Sequence, residues 1–210
     1  MANYQILVFP GGFSYGDDLG AGRVQANELG LKLRSPVEQF IHRGGLIMGI
    51  CNGFQVLVKA GILPGPMAAG QRITLTNNDS GKFECRWVYL RADQNSRCIF
   101  TRGMEYIYLP IAHGEGKLIA PPGIIDNLDA ALYYCDENGK ITSQYPYNPN
   151  GSMNNIAGLT DSTGRIFALM PHPERHIRSN QHPRWTRKQT GEFGNGFKIF
   201  QNAVEWIKNL

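Results

Sequence analysis

The sequence is poor in cysteine, and none of its four cysteines (Cys51, Cys85, Cys98 and Cys135) stands close to another. That spacing excludes a zinc site and the density of a secreted disulfide scaffold, so all four read as free thiols and no metal is implied. No apolar run approaches the length a bilayer needs, which excludes a membrane helix. The start, "MANYQILVFPGG", has no basic leader. It reads as the first strand of a fold, and the expected compartment is cytoplasmic. There is no GxxxxGK[ST] and no strand-borne GxGxxG, so no nucleotide-phosphate loop is expected. Internal repeats, linkers and low-complexity tracts are also missing. The net charge is only +4, and the basic residues are scattered except in "RHIRSNQHPRWTRK", residues 175–188, with Arg175, Arg178, Arg184, Arg187 and Lys188. With Trp185 as its one aromatic, that stretch fits a solvated loop better than a nucleic-acid site.

What is there points to a globular protein: 210 residues, 42% hydrophobic and 18% charged, enough for one domain over 1–210 with a sizeable core. Tyr4 to Phe9 is an apolar β-rich run closed by Pro10-Gly11-Gly12. Ser35-Pro-Val-Glu38 has the form of a capping box, predicting a helix through Ile41 that stops at Gly44-Gly45. Leu46 to Ile50 lacks alternation and reads as a strand buried on both faces. A second helix ends at Gly61. Strand and helix in alternation predict an α/β fold with a parallel sheet. From Arg86 onward come short β runs: "RWVYLRA", "YIYLPIAHG", "ALYYCD", "KITSQY" and "RIFALMPHP", with a hairpin turn at Glu137 to Lys140. The C-terminal "NGFKIFQNAVEWIKNL" places Phe197, Phe200, Val204 and Ile207 on one helical face.

In Gly49-x-Cys51-x-Gly53, between strand and helix, both flanking positions lack a side chain, as a sharp turn requires if the central side chain is to stand clear of the sheet. A helix N-terminus also lowers a thiol's pKa, so the position suits a nucleophile. Cys51 taken by itself equally fits a small buried apolar residue. A thiolate needs a proton partner, and "MPHPERH", residues 170–176, offers one. If the chain stays extended there, His172 and Glu174 project to the same side and the carboxylate can orient the imidazole.

"PGGFSYGDDLGAG", "GICNGFQVL", "PIAHGEG", "NPNGSMNNIAG" and "MPHPER", in that order over residues 10–176, resemble the class I glutamine amidotransferases, and within them the glutaminase subunits of phosphoribosylformylglycinamidine synthase. The resemblance implies a flavodoxin-like three-layer fold with a mixed sheet. It implies that Cys51 attacks the side-chain amide of glutamine, His172 protonates the departing ammonia and Glu174 holds His172. The backbone N–H groups of Asn52 and of the loop at Gly11-Gly12, with Gly12 the donor, would form the oxyanion hole. Gln55 matches a position lining the glutamine site. His113 and Glu115 match a loop near it, where a structural turn is an equal reading. No cofactor is implied in this chain: ATP and magnesium would belong to a partner synthetase subunit, with a third small subunit as a further partner, and neither nucleic acid nor membrane is involved. The family has a βαβ unit ahead of the strand that begins here at Tyr4, so that strand is expected at a bare sheet edge. A cysteine-elbow protein of the stress-response or peptidase type and a non-catalytic binding module are the competing readings.

Overall fold

The computed structural model describes Met1, residues 3–187 and residues 191–209. Lys188, at the end of the basic stretch, and Leu210, at the end of the chain, lie outside the described residues. Strand β1 (Ile6–Phe9) pairs in parallel with β2 (Leu46–Ile50), and β2 with β9 (Ile166–Leu169). From β9 the sheet continues antiparallel through β8 (Ile156–Thr160), β7 (Ala130–Cys135), β4 (Glu84–Ala92) and β5 (Tyr106–His113). The order is β1-β2-β9-β8-β7-β4-β5, a mixed seven-stranded sheet. All five residues of β2 are buried, as its unbroken apolar run predicts. β1 lies at one edge with β2 as its neighbour, and Val8 is 42% exposed there. A separate ribbon pairs β3 (Thr74–Asn77) with β6 (Glu115–Ile119).

Helix α3 (Asn52–Lys59) follows β2 directly and buries nearly every side chain against β1, β2 and β9. Two helices, α1 (Arg23–Lys32) and α2 (Arg34–His42), bridge β1 and β2. Because α1 runs almost into α2, Leu33 occupies the N-cap position without a side-chain hydrogen bond. Ser35 therefore lies inside α2, where its hydroxyl accepts from Gln39, and the expected capping box does not form. "KITSQY" is not a strand: Ile141 makes a single bridge to Cys135. The expected turn ahead of it is present, closed by Asp136, which accepts from the N–H groups of Asn138 and Lys140.

Helix α4 (Asn195–Lys208) packs beside β5, but its buried face is not the one the apolar residues suggest. Gly196, Ile199, Asn202 and Ala203 are innermost, Phe200 and Ile207 flank them, and Val204 is exposed. The cause is Asn202, whose amide donates to the carbonyls of Phe100 and Arg102, both at 2.9 Å, and so fixes the helix's rotation. Asn202→Ala takes this donor from the carbonyls of buried Phe100 and exposed Arg102. It should cost about 2 kcal/mol and lower the melting temperature by roughly 4–8 °C; an unchanged melting curve would show that the two bonds do not anchor α4.

Candidate active site

β1, β2 and β9 run parallel, and four strand reversals lie between β9 and β5, so β5 points the same way as they do. The loop after β1, the turn after β2, the segment after β9 and the end of β5 therefore emerge at one end of the sheet, the end at which α/β folds bind ligands. These four exits carry Gly11 and Gly12, Cys51, His172 and His113.

Cys51 has φ 51° and ψ −105°, a strained conformation for a residue with a side chain. Its neighbours make the turn possible. A Cβ on Gly49 would come 2.9 Å from the Gly53 backbone, and one on Gly53 would come 2.0 Å from the Phe9 carbonyl oxygen. The thiol donates to the Ala112 carbonyl at 3.7 Å. Burial pushes Cys51 up to about 12; a hydrogen bond from the Asn52 N–H and the charge of Arg175 pull the other way, while Glu174 and Asp17 add to the rise. The lowering expected from the helix N-terminus is thus outweighed, and the resting group is a protonated thiol.

His172 is buried and opens a 3₁₀ turn, Pro173–Arg175, so the chain bends where extended backbone was expected. The bend still brings His172 Nδ1 within 2.6 Å of Glu174 Oε1. A carboxylate only accepts, so Nδ1 carries a proton, and in the neutral ring Nε2 is then the bare acceptor. Nε2 is buried without a hydrogen-bond partner among the described residues. A Cβ placed on Gly11 would lie 2.8 Å from His172 Cε1 and 3.5 Å from Cys51 Cβ, so this glycine separates the nucleophile candidate from the imidazole. Gly12 has φ 131°, which glycine alone adopts readily, and the space beside its Cα is open.

Asn52 does more than supply a backbone N–H. Its buried side chain accepts from Ser14 N–H at 3.2 Å and donates to the Asp17 carboxylate at 3.0 and 3.2 Å and to Gln55 Oε1 at 3.0 Å. It thereby ties the loop after β1, in which Tyr15 and Asp17 both have positive φ, to the elbow. Gln55 completes its own bonding by donating to the Glu115 carbonyl at 2.5 Å. The Glu115 carboxylate accepts from Ala21 N–H at 3.3 Å and stands 3.9 Å from Lys59 Nζ. Both side chains thus hold the loop and the β6 ribbon together. His113 is buried where β5 ends, close enough to His172 for the two rings to repel when charged. Asp17 and the Asn52 side chain carry no signal in the sequence beyond their presence in "FSYGD" and "GICNG". Two residues of the basic stretch reach the sheet: His176 and His182 pack on Trp87 and Tyr108, while Arg175 faces Glu174, Arg178 faces Glu192, and Arg184, Trp185 and Arg187 are exposed. A cavity of about 650 Å³, lined by Ile62, Met67, Arg72, Ile124 and Ile166, touches none of the candidate residues.

A cysteine on a strained strand-to-helix turn, beside a carboxylate-held histidine at the same sheet end, is the arrangement of an amidotransferase. Residues 1–207 match the CobB/CobQ-like glutamine amidotransferase domain, and the chain belongs to that family. It is 59% identical over 210 residues to phosphoribosylformylglycinamidine synthase subunit PurQ of Dehalococcoides mccartyi, covering 100% of this chain and 82% of the relative. PurQ of Methanococcus maripaludis is 42% identical, over 99% of this chain and 82% of its own length. Among solved structures, PurLQS from Thermotoga maritima superposes with a TM-score of 0.74 at 34% identity, covering 99% of this chain and 82% of the matched one.

Gly11→Ala tests the geometry without replacing a candidate catalytic side chain. The backbone there tolerates alanine, but the added methyl must displace His172. Activity with glutamine should fall at least about tenfold with little change in melting temperature, and wild-type turnover would show that His172 does not depend on this gap.

Proposed function

We propose that the chain is the glutaminase subunit of a phosphoribosylformylglycinamidine synthase, with Cys51, His172 and Glu174 as its catalytic groups. The observation that carries this reading is the convergence of Cys51 and His172 on Gly11, with Glu174 fixing the imidazole at 2.6 Å. His172 Nε2 takes the thiol proton as Cys51 Sγ attacks the carboxamide carbon of glutamine. The oxyanion that forms is held by the N–H groups of Asn52 and Gly12. His172 returns the proton to the nitrogen, the C–N bond breaks, and ammonia leaves a glutamyl thioester on Cys51. Water, deprotonated by His172, then cleaves the thioester to glutamate and restores the thiol. Glu174 stays ionised and stabilises the imidazolium that forms at each stage. Burial keeps the thiol protonated in the resting protein, so proton transfer is drawn by the bound substrate.

The ammonia passes to a synthetase subunit that binds ATP, magnesium and formylglycinamide ribonucleotide, in the cytoplasm; these groups belong to the partner. The solved relative, PurLQS, supports an assembly with a synthetase and a third subunit.

Cys51→Ala should abolish glutamine hydrolysis and leave ammonia-dependent synthesis by the reconstituted complex intact, because ammonia enters after the thioester. Residual glutaminase turnover in that variant would remove Cys51 from the role. His172→Ala should cost about 10²–10⁴-fold in kcat, and Glu174→Gln less, since Glu174 orients the proton carrier without itself carrying the proton. Equal losses in the two variants would contradict the division of roles.

A further inference from the structure

The buried imidazole of His113 has no part in the steps above, and its bonding can be worked out atom by atom. Asn78 Nδ2 donates to the carbonyls of Lys82, at 2.9 Å, and His113, at 2.8 Å. The orientation of the Asn78 amide is thereby fixed. Its Oδ1 accepts from Gly116 N–H and lies 3.1 Å from His113 Nδ1. An amide oxygen only accepts, so Nδ1 carries the ring proton and Nε2 is a bare acceptor. Nε2 is buried and has no hydrogen-bond partner among the described residues. The ring lies along Gly116, where a Cβ would come 2.3 Å from His113 Cε1 and 2.8 Å from Nε2, so no side chain there can supply a donor. Burial first, and His172 second, push His113 down to about 4, so it is neutral at physiological pH and remains an acceptor. Burying a polar atom unpaired is costly, so each such atom calls for an explanation, a catalytic role among them.

Two placements say which donor completes this one. His113 is near His172, the group that protonates the leaving nitrogen, and it directly follows Ala112, whose carbonyl faces the Cys51 thiol. The carbonyl oxygen and α-carboxylate of glutamine are acceptors and cannot bond to a bare Nε2, and the α-ammonium, though a donor, stands at the far end of the molecule from the reacting centre. The carboxamide nitrogen carries two N–H donors and lies at the reacting centre. We propose that His113 is a substrate-binding residue whose Nε2 accepts an N–H of the glutamine carboxamide, turning that nitrogen toward His172; the proposal rests on the glutaminase reading. It makes His113 a determinant of amide over ester, because a γ-ester of glutamate has no N–H to offer.

The test uses the full chain reconstituted with its synthetase and compares hydrolysis of glutamine with that of glutamate γ-methyl ester. His113→Ala should lower kcat/KM for glutamine about 10- to 100-fold and change that for the ester less than about 3-fold. His113→Gln, which returns an acceptor oxygen to the position, should recover part of the loss. Alkylation of Cys51 by 6-diazo-5-oxonorleucine, which has no carboxamide nitrogen, should proceed at the wild-type rate in both variants. Equal losses on amide and ester, slowed alkylation alongside them, or no loss on either substrate would overturn the proposal by making His113 structural or idle. A wild-type protein that neither hydrolyses glutamine nor is alkylated would overturn the glutaminase reading itself and this inference with it.

Discussion

At the start of α3 the backbone of Gly53 comes so near the Phe9 carbonyl that any side chain there would collide with it. This contact sets how closely the helix can follow β2, and so how sharply the chain must turn at Cys51. The strained dihedrals of Cys51, the projection of its side chain beyond the sheet and the closeness of the β1 loop all depend on it. Backbone strain of this kind persists only where the surroundings over-determine it. Here β1, β2 and α3 each hold one side of the turn.

Around that turn a few polar side chains do the work that regular structure cannot. Asn52 joins the elbow to the loop after β1, Glu115 and Lys59 hold the far end of the same loop, and Asn78 fixes the junction of β5 with the β6 ribbon. The loop therefore cannot shift without disturbing Asn52, the residue that directly follows Cys51. Cys51 and the loop that faces it form one mechanical unit.

The chemistry could be read early because the elbow is a local feature: an apolar strand, two glycines around one cysteine and an amphipathic helix lie within sixteen residues. His172 and Glu174 are two residues apart, so their pairing survived an incorrect expectation of backbone conformation. Features set by distant partners were not legible. Helix α1, "RVQANELGLK", has no apolar stripe, and its buried Ala26 and Leu29 find their place only against α3. β8 was hidden because Gly158 interrupts a short apolar run, and it is a glycine because a Cβ there would meet the Ala168 carbonyl at 2.9 Å. The rotation of α4 follows from an asparagine bonding to carbonyls a hundred residues away. The helix N-terminus beside the thiol is visible in sequence, whereas the depth of burial that outweighs it is not.

The protonation state of the thiol bears on how the protein survives in its cell. Oxidants such as peroxide attack thiolates far faster than thiols, and access to the sulfur governs which cysteines are lost to sulfinic and sulfonic acids. A thiol that is buried, and that on the proposed mechanism keeps its proton until a substrate draws it away, is shielded from such damage while idle. On the proposed mechanism, exposure to oxidation is then confined to turnover, when the thiol gives up its proton.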